Sequence, residues 1–305
     1  IESVLNQKTD FKYEIIVSDD ASTDRTPEII RKYEKLYFDI IKVFIRTENL
    51  GASRNGFELS KQARGEYIAC CEGDDFWTDT HKLQKQADFL DNNHDFSACT
   101  HDVTVSDAKG DIVSVNPKIR WISKKRVYSI GGFNGEFLPG HPSSLFRRNY
   151  IKENGFDYSD IYKLNNMISD RTIALIWASF GKIYRLPDKM ASYRIIRDSK
   201  ADNVTSGLYL KNDSCFNIKQ DFIYTVKLER FAERKLKQCV NTDYHKASLY
   251  ASCIFAKFIH PNNKRELQNL RRIILKSCRR KTYCVFMFPI IVLKRTAEHL
   301  TKIYK

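Results

Sequence analysis

Two acidic clusters carry the types and spacing that could do chemistry. Glu72-Gly73-Asp74-Asp75 follows the apolar run Tyr67 to Cys71 and precedes Phe76-Trp77, and Asp19-Asp20 closes the run Ile15-Ile16-Val17-Ser18. Adjacent carboxylates at a strand end are costly unless water or a cation meets them. A hard divalent ion with oxygen ligands, itself bound to a diphosphate, would account for Asp74-Asp75 and for the loop that holds them. An ordinary acidic turn is the competing reading on spacing alone.

The elements needed to position these acids follow from periodicity. A β-branched run over 13–18 predicts a buried strand that delivers Asp19 and Asp20 at its carboxyl end. Thr26 and Pro27 then open a helix whose apolar face is Ile29, Ile30, Tyr33, Leu36 and Tyr37. A strand over 40–45, a helix over 51–63 and a strand over 67–71 continue the alternation. Alternating strands and helices imply a parallel α/β sheet with its ligand crevice at the carboxyl edge, where both acid clusters would fall. Further on, the pattern predicts a helix over 81–92 and a hairpin of 96–106 with 111–115. It also predicts a strand over 143–146 leading into a helix at Arg147-Arg148-Asn149, a helix over 167–180, and strands over 182–186 and 190–196. From Leu208 onward it reads as helix after helix, broken at Pro261-Asn262-Asn263.

The 305 residues suffice for one large domain or two smaller ones, and 42% hydrophobic with 29% charged residues fits a globular protein. Eight cysteines show no metal-type spacing, which suits a reducing cytosol. The net charge of +14 is uneven: residues 1–206 hold 30 basic and 30 acidic side chains, whereas residues 207–305 hold 21 and 7. A neutral body, 1–206, is thus expected to carry a basic helical region, 207–305. No apolar run reaches the ~20 residues that a spanning helix needs. Tyr283 to Leu293 is the longest candidate, and it contains Pro289.

In this order the motifs Ile15 to Asp24 (ending Ser18-Asp19-Asp20-Ala21-Ser22-Thr23-Asp24), Asn49-Leu50-Gly51 with Arg54-Asn55, Gly65 to Ala69, and Glu72-Gly73-Asp74-Asp75-Phe76-Trp77 resemble the family 2 glycosyltransferases of the GT-A fold. The resemblance covers about residues 1–200. It implies a GT-A-type nucleotide-binding sheet flanked by helices, followed here by the helical C-terminal region. It also implies an inverting, metal-dependent transfer of a sugar from a nucleotide-diphosphate donor, a UDP-sugar, to an acceptor hydroxyl of a surface polysaccharide or lipid-linked glycan. Carried over by position, Asp19 and Asp20 would recognise the nucleotide base, with Asp20 the closer contact, because a carboxylate accepts a ring N–H. Asp74 would bind donor and metal, Asp75 would ligate Mg²⁺ or Mn²⁺, and Asp170, ahead of Tyr193-Arg194, would be the catalytic base. Glu72 stands where many relatives have Asp. Trp77 would wall the donor site, His141 would lie beside the acceptor, and Arg194 or Arg197 would meet a donor phosphate.

The chain departs from the family pattern at Arg171, where an aromatic residue usually follows the base, and at Ile195-Ile196, where a histidine often stands. It also starts at Ile1 inside an amphipathic stretch. The family's first strand is therefore expected upstream, and donor binding by residues 1–305 alone is expected to be weak.

Basic residues beside the apolar segment suit a helix lying on an anionic membrane surface through residues 264–295, which would place the protein in the cytoplasm, peripheral on the inner face of the membrane. No nucleic-acid motif accompanies them. A nucleotidyltransferase, which would want a glycine-rich basic phosphate loop, and a catalytically inactive membrane-surface binding protein are the alternatives.

Overall fold

The computed structural model describes residues 1–117, 123, 125–135, 139–150, 161–165, 170–195, 214–259 and 261–303. The chain divides into two compact units, one of Ile1–Ile130 with Phe137–Ile196 and one of Gly131–Glu136 with Arg197–Lys305. Position 206/207 and Arg197 lie outside the described residues.

The first unit begins with a helical turn, α1 (Glu2–Leu5), then β1 (Ile15–Asp19), α2 (Thr26–Leu36), β2 (Ile41–Ile45), α3 (Ala52–Ser60) and β3 (Tyr67–Ala69). β1 and β2 pair in parallel from Ile15↔Ile41 to Asp19↔Ile45. Their inward side chains Ile15, Ile41 and Val43 bury against Ile30 of α2, as the alternation of large apolar residues dictates.

The expectation of one parallel sheet needs correction at β3. This strand joins a second sheet, pairing antiparallel with β8 (Phe146–Arg148), so that Ala69 faces Phe146. That sheet runs β3-β8-β5-β9-β4, with β5 at Phe96–Ser106, β9 at Lys182–Arg194 and β4 at Phe76–Trp77. The short strands β6 (Ile112–Ser114) and β7 (Val127–Tyr128) pair with β5 and β9. The fold is therefore a mixed sheet flanked by helices. β9 lies parallel to β5 and binds the short β4 antiparallel through Phe76↔Ser192.

Two expected strands, 182–186 and 190–196, are one continuous β9, and the pairing with β5 shifts register where Pro187 removes a donor. The strand expected over 143–146 is also displaced. Pro142–Ser144 is a 3₁₀ turn, capped by the His141 ring, which accepts the Ser143 N–H, and the strand begins only at Phe146. Arg147 and Arg148 therefore lie on a strand rather than on a helix start.

α4 (Lys82–Asp91) and α5 (Asp170–Phe180) complete the described helices of this unit. α4 packs Leu83, Ala87 and Leu90 on Trp77, Cys99, Val103 and Phe146.

The second unit is helical among the described residues: α6 (Ser214–Arg234), α7 (Asp243–Ile259), α8 (Lys264–Ser277) and α9 (Lys281–Ile303). Its core joins Ile218 and Phe222 of α6, Leu249 and Cys253 of α7, and Leu267, Leu270 and Ile274 of α8. Lys246, 1% exposed, donates to both oxygens of Glu229 at 2.9 and 2.8 Å and to the Ser277 carbonyl. Asp243 accepts the backbone N–H groups of Arg279 and Arg280, both at 2.9 Å, which fixes the turn between α8 and α9.

Candidate active site

The site is built where the chain leaves β3. The Glu72–Asp75 turn, closed by the Asp75 N–H on the Glu72 carbonyl, presents its carboxylates differently. Asp75 turns fully inward while Asp74 stays exposed. Asp75 Oδ1 accepts the Arg194 N–H at 2.9 Å from the end of β9, and its Oδ2 accepts the Ser143 hydroxyl at 2.5 Å. Burial, opposed by those two hydrogen bonds and aided by Asp74, pushes the Asp75 carboxyl up to about 6.

Ser143 is the hub of the arrangement. It is fully buried in the 3₁₀ turn. Its hydroxyl accepts the Glu72 N–H at 2.9 Å while donating to Asp75. Its carbonyl accepts Trp77 Nε1 at 3.0 Å, and its N–H donates to His141 Nδ1 at 3.2 Å.

His141 is 2% exposed and lies against the Tyr193 ring, with centroids 4.2 Å apart. Burial drives its pKa down to about 3, so the ring is neutral. Nδ1, which accepts from Ser143, also lies 3.2 Å from Asp75 Oδ2, and Nε2 lies 3.7 Å from a Glu72 carboxylate oxygen.

Ligand atoms of Glu72, Asp75 and His141 all lie within 4.8 Å of one another. Two carboxylates and a neutral imidazole form a donor set that suits Mn²⁺ and related divalent ions, so the residues present fit a cation. The pair expected from sequence was Asp74-Asp75. The structure instead gathers Asp75 with Glu72 and His141, and leaves Asp74 at the turn's outer edge.

Asp170 opens α5 and is partly buried. Loss of water raises its carboxyl to about 6. For Glu72, burial and then the charges of Asp170, Asp75 and Asp74 hold the carboxyl well above the usual range. Half of the Glu72 side chain still meets water, which blunts this repulsion without reversing it. Burial and then Asp75, Glu72, Asp74 and Asp170 likewise raise the Tyr193 phenol to about 12. Asp170, 95 or more positions away in sequence, is thus among the charges that act on Glu72.

The other expected residues lie as follows. Asp20 spends both oxygens on the Leu50 and Gly51 N–H groups, at 2.8 and 2.9 Å, stapling the end of β1 to the loop before α3. Asp19, 3% exposed, accepts the Ser22 N–H at 3.1 Å through Oδ2, while its Oδ1 is buried without a hydrogen-bond partner. Asp19 thus keeps one buried oxygen that no hydrogen bond meets.

Trp77, expected as a wall of the donor site, is a correction. It is 6% exposed in the core, with Lys82 Nζ 4.0 Å from its ring centroid, and it supports the Ser143 turn from behind. Arg194 grips Asp75 through its backbone, and its guanidinium lies 5.8 Å from the Phe76 ring centroid.

Comparison with known proteins agrees with this architecture. An α/β unit with carboxylates gathered beyond its strand ends is the layout of GT-A transferases. The profile described as "Glycosyl transferase family 2" matches residues 1–155, and the chain belongs to that family. Protein Rv1520 of Mycobacterium tuberculosis (strain ATCC 25618 / H37Rv) is 36% identical over 193 residues, 62% of this chain and 51% of that protein. A poly(ribitol-phosphate) beta-glucosyltransferase of Bacillus spizizenii is 27% identical over 254 residues, 78% of this chain and 36% of that one. The chain thus spans about half the length of the mycobacterial relative, and less of the Bacillus one. Among solved structures, S. aureus TarS 1-349 in complex with UDP-GlcNAc superposes with a TM-score of 0.55 at 18% identity, covering 90% of this chain and 74% of that one. A second TarS structure gives 0.58 at 15% identity, covering 97% and 49%. At these identities the likeness is one of fold.

Proposed function

We propose that the chain transfers a sugar, with inversion, from a nucleotide-diphosphate donor of the UDP-sugar class to a hydroxyl of a surface polysaccharide or lipid-linked acceptor, at the inner face of a membrane. The observation that carries this reading is the cluster of Glu72, Asp75 and His141, with the Asp170 charge among those that raise the Glu72 carboxyl. The names of relatives support the substrate classes: one is a poly(ribitol-phosphate) glucosyltransferase, and a TarS structure holds UDP-GlcNAc.

In this reading Glu72, Asp75 and His141 hold the divalent ion, which supplies Lewis-acid relief of the charge that develops on a departing nucleotide diphosphate. Asp20, with Asp19 behind it, recognises the nucleotide base and also shapes the Leu50-Gly51 loop. Asp74, exposed at the turn, meets the donor from solvent. Asp170, with its pKa raised towards neutrality, takes the proton of the acceptor hydroxyl. Arg194 holds Asp75 in place through its N–H and brings a positive charge to the edge of the cluster.

The test is incubation of the chain with UDP-sugars, Mn²⁺ or Mg²⁺, and a polyol-phosphate or lipid-linked acceptor, followed by assay of released UDP. Release that requires the cation and disappears in Asp170→Asn supports the proposal. Cation-independent release, or full turnover by the variant, refutes the assigned roles.

A further inference from the structure

The second unit carries a surface whose chemistry the transfer reaction does not use. α9 has no charged residue from Thr282 to Leu293, yet only one side of that stretch is spent on packing. Ile291, 4% exposed, packs with Met287 and Phe288 on Ala247, Ala251 and Cys278. On the opposite side Phe286 is 78% exposed, Leu293 69% and Ile290 52%. With Tyr283 these residues recur at three- and four-residue steps, so they form one ridge along the helix. A ridge of large apolar side chains left in water marks a binding surface.

Its setting selects the partner. Arg279, Arg280 and Lys281 are exposed in the turn directly before the ridge, and Arg272 and Lys276 are exposed on α8. No acidic residue lies between Leu267 and Ala297, and residues 264–305 hold 12 basic against 2 acidic side chains. A soluble polyanion would use the basic residues and leave the ridge idle. An apolar protein groove would use the ridge and leave the charges idle. A bilayer with anionic headgroups uses both, with the bases at phosphate level and the ridge among the upper acyl carbons. No helix among the described residues is long and apolar enough to cross the membrane, so the ridge lies in the interface.

We infer that the Tyr283-Phe286-Ile290-Leu293 ridge, with the Arg279-Arg280-Lys281 turn, docks the protein in-plane on an anionic lipid surface. This inference deepens the proposed membrane location and is independent of the donor chemistry. It is tested by co-sedimentation of the full chain with vesicles of 70:30 phosphatidylcholine:phosphatidylglycerol and of phosphatidylcholine alone, beside Phe286→Ser/Ile290→Ser and Arg280→Glu/Lys281→Glu. Both pairs of side chains are exposed, so circular dichroism should be unchanged.

The expected result is binding to the anionic vesicles, about fivefold weaker for each basic residue removed and at least about tenfold weaker without the two ridge side chains. A Phe286→Trp variant should shift its emission to the blue on those vesicles. Equal binding by wild type and the ridge variant, no blue shift, or binding to soluble polyphosphate but not to vesicles would each overturn the inference. No nucleotide sugar enters this assay, so its failure leaves the transfer reading standing, and the reverse also holds.

Discussion

At the scale of single residues, the site depends on which carboxylates are kept protonatable and which are held in place. The Asp170 carboxyl, raised to about 6 by burial, is a base only when deprotonated, so the transfer rate should fall as pH drops through about 6 and level off above it. Asp170→Asn should lower kcat by about 10²–10⁴ while equilibrium dialysis with a UDP-sugar shows donor binding retained. The same shift has a stability consequence. A carboxyl whose folded pKa lies above its unfolded one favours the fold at low pH, and that contribution is lost as pH rises through the folded value. Thermal melts should therefore show Asp170→Asn more stable than wild type at pH 8 and equal to it at pH 4.

Ser143 belongs at this scale too. It orders Asp75, the Glu72 backbone and the His141 tautomer at once, and partners of this kind typically hold about 10–100-fold in metal affinity. Ser143→Ala should weaken Mn²⁺ binding by that factor in isothermal calorimetry, with unchanged circular dichroism. Asp75 and Asp170 could be proposed from the sequence because Asp75 stands in the Glu72-Gly73-Asp74-Asp75 motif and Asp170 precedes Tyr193-Arg194 as the family resemblance implies. Ser143 was not, because its partnership with Asp75 spans 68 positions and ends in an irregular turn, where neither periodicity nor spacing carries a signal.

At the scale of elements, most strands and helices through residue 106 follow the apolar pattern, the helices because each buries one face and β5 although it buries both. The misreadings come where tertiary pairing overrides local preference. Pro187 interrupts a hydrogen-bond ladder without ending β9, since β5 continues to pair on both sides of it. β3 turns to β8 rather than to β1 because pairing partners are not written in a strand's own residues. The placement of the 3₁₀ turn rests on Gly140, whose φ of +120° lies in the region that favours glycine, and a Cβ there would meet Thr100 at 2.6 Å and Ser144 Oγ at 2.9 Å. The Thr100 hydroxyl also donates to the Pro139 carbonyl and pins the same approach. Gly140→Ala should therefore cost about 1–3 kcal/mol in urea unfolding. Because the displaced turn carries His141 and Ser143, it should lose Mn²⁺ affinity as well. Lost stability with intact affinity would mean that the turn does not position the site.

At the scale of the whole molecule, charge and chemistry are divided between the two compact units. The acids that could hold a cation lie in the first, and the excess positive charge lies in the second. This division of charge was plain in the sequence. The helical packing of the second unit was legible only as a succession of helices, because the apolar core that joins them is supplemented by a buried polar cluster with no local signature. Lys246 and Glu229 are the centre of that cluster, with side chains 1% and 16% exposed, and Thr242 donates to the same carboxylate at 2.6 Å. Removing one partner of a buried pair leaves the other charge uncompensated, typically at about 3–5 kcal/mol, whereas a cation at 100 times its Kd stabilises the unit that binds it by about 2.7 kcal/mol. Scanning calorimetry can read both effects on one protein. Lys246→Met should lower the midpoint of the helical unit alone, and Mn²⁺ should raise the midpoint of the α/β unit alone, so that the two transitions separate in the variant with metal present. A single transition that moves as a whole under either change would show that the units unfold as one.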